Sequence, residues 1–357
     1  MGAMNNDQLH FELFSDLPAA AVPAKKRASV ARKTSASTAA SAPAVAAQTP
    51  VAFALDVGDI DAMAKVLQAH PDFKVLRRLR PILQWPAATD SAITRVVVLD
   101  TETTGLDQSK EKIIELALLR VDIDNATGMP VGPLQVYDGL EDPGRPIPKE
   151  VVAITGLTDA DVAGQRIDEA RVAELMEGVD LVIAHNAGFD RPFVEARFEQ
   201  FAKLPWACSF ADIDWKAQGR GSAKLESLAQ ANGWFYDAHR AEMDCHALLA
   251  VLATPLPAAP QTGMARLLQA AGLPSFRLSA SNAPFESKDK LKARGYRWNA
   301  DQRVWQTRLG DPAALQAEFA WLKENAYNSR SAVVQLEKLD ARTKYSSRSG
   351  EVTHQQL

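Results

Sequence analysis

Asp100 and Glu102 stand two residues apart at the end of the apolar run 94–100, Thr-Arg-Val-Val-Val-Leu-Asp. In an extended strand that spacing puts both carboxylates on one side of a sheet. Like charges this close raise each other's pKa unless a cation lies between them, and a hard divalent ion with oxygen ligands suits the task. The plain alternative is a solvated strand end leading into the turn Thr103, Thr104, Gly105, Leu106 and Asp107. A third acid, Asp190, follows a second apolar run that empties into a polar turn, His185-Asn186-Ala187-Gly188-Phe189. Here the plain alternatives are a helix cap for Asp190 and backbone-satisfying turn roles for His185 and Asn186. A fourth acid, Asp244, lies within a helical pattern, with His239 five positions earlier on the approach. A helix can fix such an acid while the imidazole takes a proton from water. A lone histidine before a helix is more often structural, and His246 is read only in that way.

The elements that must hold these residues follow from periodicity. A β-branched run like 94–100 suits a sheet centre covered on both faces. Further strands are expected at 113–122, 134–137 and 181–184, and helices at 168–176, 191–201, 225–232 and 241–252, which makes a mixed α/β layout. Upstream, Ile60, Met63, Val66, Leu67, Val75, Leu76 and Leu79 suggest two short helices around Pro71. After Thr254 a Pro- and Ala-rich stretch reads as a linker. Beyond it a helix (264–271), a strand (276–280), a basic helix (288–294), a strand (304–308) and a helix from Pro312 suggest a second, smaller domain. The expected organisation is a flexible tail at 1–52, a helical segment at 53–90, the α/β domain at 91–254, a small basic and aromatic α+β domain at 264–327, and a polar, mobile tail at 328–357. No internal repeat is found.

With 357 residues, 46% hydrophobic and 24% charged, the chain reads as globular rather than disordered or membrane-embedded. Two cysteines, Cys208 and Cys245, form no disulfide framework or zinc spacing, and no targeting signal or bilayer-spanning run is read. A reducing, cytoplasmic setting is expected. The net charge of −4 is unevenly spread: Lys25, Lys26, Arg27, Arg32 and Lys33 make a basic patch, and residues 276–309 carry eight Lys/Arg against three Asp/Glu.

Taken in order, Leu-Asp-Thr-Glu-Thr-Thr-Gly-Leu at 99–106, His-Asn-Ala-Gly-Phe-Asp at 185–190 and His-Arg-Ala-Glu-Met-Asp at 239–244 resemble the three motifs of DnaQ-like exonucleases of the DEDDh type. The stretch Ile-Pro-Lys-Glu-Val-Val-Ala-Ile-Thr-Gly-Leu-Thr at 147–158 also looks like the family's intervening segment. The resemblance covers roughly 91–254 and implies a ribonuclease H-like mixed sheet flanked by helices. It implies that Asp100, Glu102, Asp190 and Asp244 hold two divalent ions, Mg²⁺ or Mn²⁺, that His239 is the general base, and that Thr103, Gly105 and Leu106 lie beside the terminal nucleotide, with His185 and Asn186 as further substrate contacts. The implied reaction is hydrolysis at a single-stranded or frayed 3′ end, releasing nucleoside 5′-monophosphates. The motif form leans towards proofreading-subunit relatives and so towards DNA over RNA. An RNA-directed 3′-5′ exoribonuclease and a non-catalytic adaptor between nucleic acid and a sliding clamp are the alternatives.

Two flanking pieces suggest partners. Gln8, Leu9, Leu13 and Phe14 look like the peptides that dock on bacterial sliding clamps, where a flexible tether would raise effective concentration; the alternative is a short helix packed on its own domain. A polymerase is a further possible partner. In the C-terminal segment, Lys288, Lys292, Arg294 and Arg297 are expected to guide nucleic acid, whereas Trp298 and Trp305 are expected to fill that domain's core.

Overall fold

Val96 and Val98 bury on one face of the first long strand and Val97 and Leu99 on the other, all fully inaccessible. That two-sided burial is why the run is continuously apolar rather than alternating. The computed structural model describes residues 59–88, 90–310 and 312–357; the tail peptide Gln8, Leu9, Leu13 and Phe14 lies outside the described residues. The strand is β2 (Ile93–Thr103), following a two-residue strand β1 (Arg77–Arg78). β2 pairs antiparallel with β3 (Ile113–Asp124), which pairs antiparallel with β4 (Pro130–Leu140). On its other side β2 pairs parallel with β5 (Leu181–Ala184), and β5 parallel with β6 (Trp206–Cys208). The order β4-β3-β2-β5-β6, three antiparallel strands beside two parallel ones, is a ribonuclease H-like mixed sheet.

Helices cover both faces. Val172 and Leu175 of α4 (Glu169–Met176) and Phe193 and Val194 of α5 (Ala187–Arg197) pack with Val97 and Leu99. The opposite face, with Val96, Val98, Ala117 and Leu119, takes α7 (Leu225–Ala231) and α8 (Ala241–Leu252). The short helices α2 (Lys149–Thr155) and α3 (Asp159–Val162) cap a smaller cluster around Ile114, and α6 (Ser209–Asp212) follows β6. At roughly 1.5–3 kcal/mol per fully buried aliphatic side chain, the four β2 residues 96–99 alone contribute about 6–12 kcal/mol of transfer free energy as an upper bound.

Several expectations need correction. Among the described residues only one helix, α1 (Ile60–Ala69), forms upstream, in a unit separate from 76–357; Asp59 caps it by accepting the Ala62 N–H at 2.8 Å. The second expected helix is extended chain. Pro81 and Pro86 lack N–H donors, Leu83 and Trp85 bond along β4, and Arg77 and Arg78 pair with β7 (Trp234–Phe235). The helix assigned to the second domain, α9 (Gly263–Ala271), instead buries Met264 and Leu267 in the core of the first, with Leu256 of the expected linker beside them. Gly128 explains how closely it sits: a Cβ there would lie 2.6 Å from that of Ala265.

Residues 328–357, expected as a mobile tail, supply two strands. They complete a second, wholly antiparallel sheet of order β12-β11-β8-β10-β9. Its strands are β8 (Ser275–Ala280), β9 (Arg297–Asn299), β10 (Val304–Leu309), β11 (Val333–Leu339) and β12 (Glu351–Gln356). Leu278, Val334 and Tyr296 pack with Leu291 of α10 (Lys288–Ala293) and Leu315 of α11 (Pro312–Trp321), which runs on into a π-helical turn at Leu322–Ala326. The connection from β11 to β12 crosses to the first sheet. There the buried Arg191 guanidinium donates to the carbonyls of Ala341, Arg342 and Lys344, pairs with Glu195 and stacks over Trp206. Tyr345 donates to Asp212 at 2.6 Å and Ser346 to Glu195 at 2.6 Å. Residues 76–357 therefore form one unit rather than a nuclease domain with a separable accessory domain. Among the described residues no helix is long and apolar enough to cross a membrane.

Candidate active site

The pleat of β2 puts Asp100 and Glu102 on the face of Val96 and Val98, the face that α8 covers, and α8 carries Asp244 in its first turn. Ligand oxygens of Asp100, Glu102 and Asp244 lie within 4.8 Å of one another. The register of β2 against β3 shifts just after Glu102, a bulge that ends regular pairing at the site.

Asp244 is held from three directions. Its carboxylate accepts the Tyr236 hydroxyl at 2.8 Å and the backbone N–H groups of His239 at 2.8 Å and Arg240 at 3.2 Å. The last two contacts fold the approach segment onto the helix start, and His239 adopts a left-handed φ of 64° to make them. That left-handed conformation brings the His239 backbone against the Asp244 carboxylate. Asp190 reaches the site from α5. Asn186, left-handed at φ 75°, turns the chain into that helix, and the Asp190 carboxylate accepts the Thr101 N–H at 3.2 Å and the Thr101 hydroxyl at 2.9 Å. Asp190 is only 2% exposed and lies outside the trio, whereas Asp100, Glu102 and Asp244 are partly buried.

The electrostatics ask for positive charge. Burial, then the neighbouring Asp190, Asp244, Glu102 and Glu115, push Asp100 well above the usual carboxylate range. Burial and then Asp244 do the same to Glu102. Asp190 and Asp244 are each pushed up to about 7, again by burial first, against the hydrogen bonds that favour their ionised forms. Hard oxygen donors converging in a partly enclosed cleft, each disfavouring its neighbour's charge, fit a divalent cation.

Sequence reasoning missed the groups that support the acids. Glu115, fully buried, stands directly across from Glu102 on β3; it accepts Arg240 at 2.7 and 3.0 Å and the Ala241 N–H at 3.0 Å, which fastens the start of α8 to the sheet. Arg240 in turn opposes the rise in the Glu102 pKa. The signal was a lone acid inside the apolar run Ile-Ile-Glu-Leu-Ala-Leu-Leu, 113–119. Asp138 on β4 is pushed to about 6 by burial and Glu115. No sequence signal marked Tyr236.

The other expected site residues divide. The Thr103 hydroxyl donates to the Gly105 carbonyl at 2.7 Å, fixing the turn, and Leu106 is half-buried beside it. A Cβ at Gly105 would meet the Glu111 side chain at 3.1 Å, so a crowded turn gives the reason for the glycine. Glu111 itself pairs with Arg145 and accepts the Thr104 hydroxyl at 2.6 Å. His185 bonds the Ser209 hydroxyl through Nδ1 at 2.6 Å and meets Phe210 edge-on. Lys288, Lys292, Arg294 and Arg297 belong to the second sheet and its helix, not to the carboxylate cleft. Lys288 lies over the Phe285 ring at 4.2 Å, and Arg294 pairs with Glu318 at 3.0 Å.

Convergent carboxylates at the end of a ribonuclease H-like sheet, one of them carried by the flanking helix, define a metal-dependent nuclease. More particularly, residues 97–252 match the RNase_T family model, an exonuclease family, and the chain carries a DnaQ-like exonuclease domain acting on nucleic acid. It is 28% identical over 186 residues to the DNA polymerase III subunit epsilon of Treponema pallidum, spanning 48% of this chain and 81% of that protein. It is 41% identical over 105 residues to a DNA polymerase III subunit epsilon-like protein of Rhodobacter capsulatus, spanning 28% of this chain and 14% of that one. The match to the PolC-type DNA polymerase III of Listeria innocua, 31% identical over 105 residues, covers 29% of this chain and only 7% of that protein. Among solved structures, the zinc-bound E. coli ExoI–ssDNA complex aligns with a TM-score of 0.42 and 16% identity, over 66% of this chain and 68% of that one.

Proposed function

We propose that this protein is a 3′-to-5′ exonuclease that shortens single-stranded or frayed ends, with DNA as the preferred substrate, by a two-metal mechanism releasing nucleoside 5′-monophosphates. The observation that carries this reading is the convergence of Asp100, Glu102 and Asp244 within 4.8 Å beside His239. Asp100, Glu102, Asp244 and Asp190 would hold two Mg²⁺ or Mn²⁺ ions, which would stabilise the entering and leaving oxygens of an in-line displacement. Asp190 is supported as the fourth acid by its electrostatic effect on Asp100. His239 takes the proton of the attacking water on a ring nitrogen, while its backbone N–H keeps Asp244 in line. Tyr236 and Thr101 orient the two helix-borne carboxylates by donating hydroxyl protons. The 103–106 turn borders the terminal nucleotide, with Leu106 against its base. A cytoplasmic, replication-linked role is supported by the likeness to epsilon subunits, and residues Gln8 to Phe14 would tether the enzyme to a sliding clamp.

The test is digestion of 5′-labelled single-stranded DNA and RNA with Mg²⁺ or Mn²⁺, beside EDTA and Asp100→Ala controls. A metal-dependent ladder shortening from the 3′ end, faster on DNA and absent from both controls, is expected. An intact label on both strands sinks the reading.

A further inference from the structure

Trp298, expected in the C-terminal core, is 50% exposed. It stands on β9, a three-residue edge strand, directly opposite Trp305 on β10, and the two indoles meet edge to face at 5.7 Å. Trp305 packs against the core of the second sheet, so it fixes Trp298 in place while leaving its ring to solvent. The hairpin between them is stiff. The Asn299 carboxamide accepts the Gln302 N–H at 2.9 Å, and Arg303, left-handed at φ 52°, brings the chain into β10. A single exposed apolar residue is ordinary by itself; what sets Trp298 apart is that a second indole fixes its ring beside exposed cations.

The charge around it selects the partner. Of the eight Lys/Arg in 276–309, Arg277 is neutralised by Glu337 and Arg294 by Glu318. Arg308 turns away towards Tyr345. Arg303, exposed, sits at the hairpin tip two residues from Trp305, and Lys292 is exposed on the adjoining helix. A planar ring with cationic groups on the adjoining turn and helix suits single-stranded nucleic acid, since its bases offer π-faces and its backbone an anion at every step.

We propose that the β9–β10 hairpin is a stacking platform for single-stranded nucleic acid, with Trp298 receiving a base and Arg303 a phosphate. The inference deepens the nuclease reading and takes its substrate class from it, but its test is independent of turnover. The full chain would be titrated in EDTA against fluorescein-labelled oligothymidylate of about thirty residues, followed by anisotropy. Trp298→Ala is expected to weaken binding by about tenfold or more and Trp298→Phe by no more than about threefold, because a phenyl ring still stacks. Arg303→Asn keeps the left-handed turn and removes the charge; it should lower the slope of log affinity against log salt by about 0.7. If Trp298→Ala proves unfolded by circular dichroism, the exposed Arg303 decides. Wild-type affinity in folded Trp298→Ala, or an unchanged salt slope in Arg303→Asn, overturns the proposal. Loss of binding in the variants of a protein that digests nothing would uphold the platform and remove the catalytic reading.

Discussion

At Asp100, β2 delivers a negative charge that burial and four neighbouring acids oppose. Replacing it with Asn removes both a metal ligand and a source of repulsion, so activity and metal-free stability should move in opposite directions. Asp100→Asn is expected to lower exonuclease rate by on the order of 10³-fold. It should raise the melting temperature in EDTA by a few degrees, on the order of 1 kcal/mol, and abolish any stabilisation by added Mg²⁺. Paired thermal scans with and without metal check this; a melting temperature lowered in EDTA would contradict the repulsion argument. His185 carries a different prediction. Burial pushes its pKa down to about 4, below the usual value near 6.5, so the folded state prefers the neutral ring. The unfolded chain therefore binds the extra proton between those values, and this stabilisation, complete above pH 6.5, is lost as pH falls towards 4, by about 3 kcal/mol in total. The raised carboxylates at the site act in the opposite sense over part of that range. The measurement is thus the difference between wild type and His185→Gln in denaturant unfolding, and a difference independent of pH would remove His185 from the account.

One element, α8, is placed by an anchor that is not itself a candidate ligand. Glu115 on β3 takes Arg240 and the Ala241 N–H, and this single buried carboxylate joins the sheet to the helix that supplies Asp244. Glu115→Ala leaves a buried N–H without its acceptor and Arg240 without its counterion, a change that elsewhere costs about 3–5 kcal/mol. Glu115→Gln keeps the shape and one acceptor oxygen for Arg240, so it should fold more nearly as wild type while still losing activity, because the amide carries no charge to pair with Arg240 and turns an NH2 rather than an acceptor towards the Ala241 N–H. Circular dichroism and rate measured together on both variants check this. Full activity in Glu115→Ala would detach the anchor from the site.

Across the whole molecule, the second sheet is fastened to the first through Arg191, the residue next to Asp190. Three carbonyls of the β11–β12 connection depend on that guanidinium, so Arg191→Met should destabilise by about 3–5 kcal/mol, and both sheets should melt in one transition rather than two. Calorimetry distinguishes the cases, and two separate transitions in the wild type would argue for independent domains. This dependence also explains what the sequence alone determined. Local periodicity was enough for the central strands, for α7 and α8, and for the acids at the strand end, because a strand buried on both faces and a helix with apolar spacing announce themselves within a few residues. Asp100, Glu102 and Asp244, which the fold brings together, were legible because each lies near one end of such an element; the roles of Asp190 and His239 belong to the proposal. Tertiary structure alone decided which groups support them. The cross-strand register sets Glu115 opposite Glu102, a turn brings Tyr236 to Asp244, and packing over 150 residues of chain brings Lys344 to Arg191. The polar composition of 328–357 hid two strands because β12 is held by its pairing with β11 rather than by apolar content, and β11, which buries Val334 and Leu339, is held by β8. Trp298 was misread for the same physical reason: burial belongs to the neighbours a residue meets, and a sequence records only its own side chain.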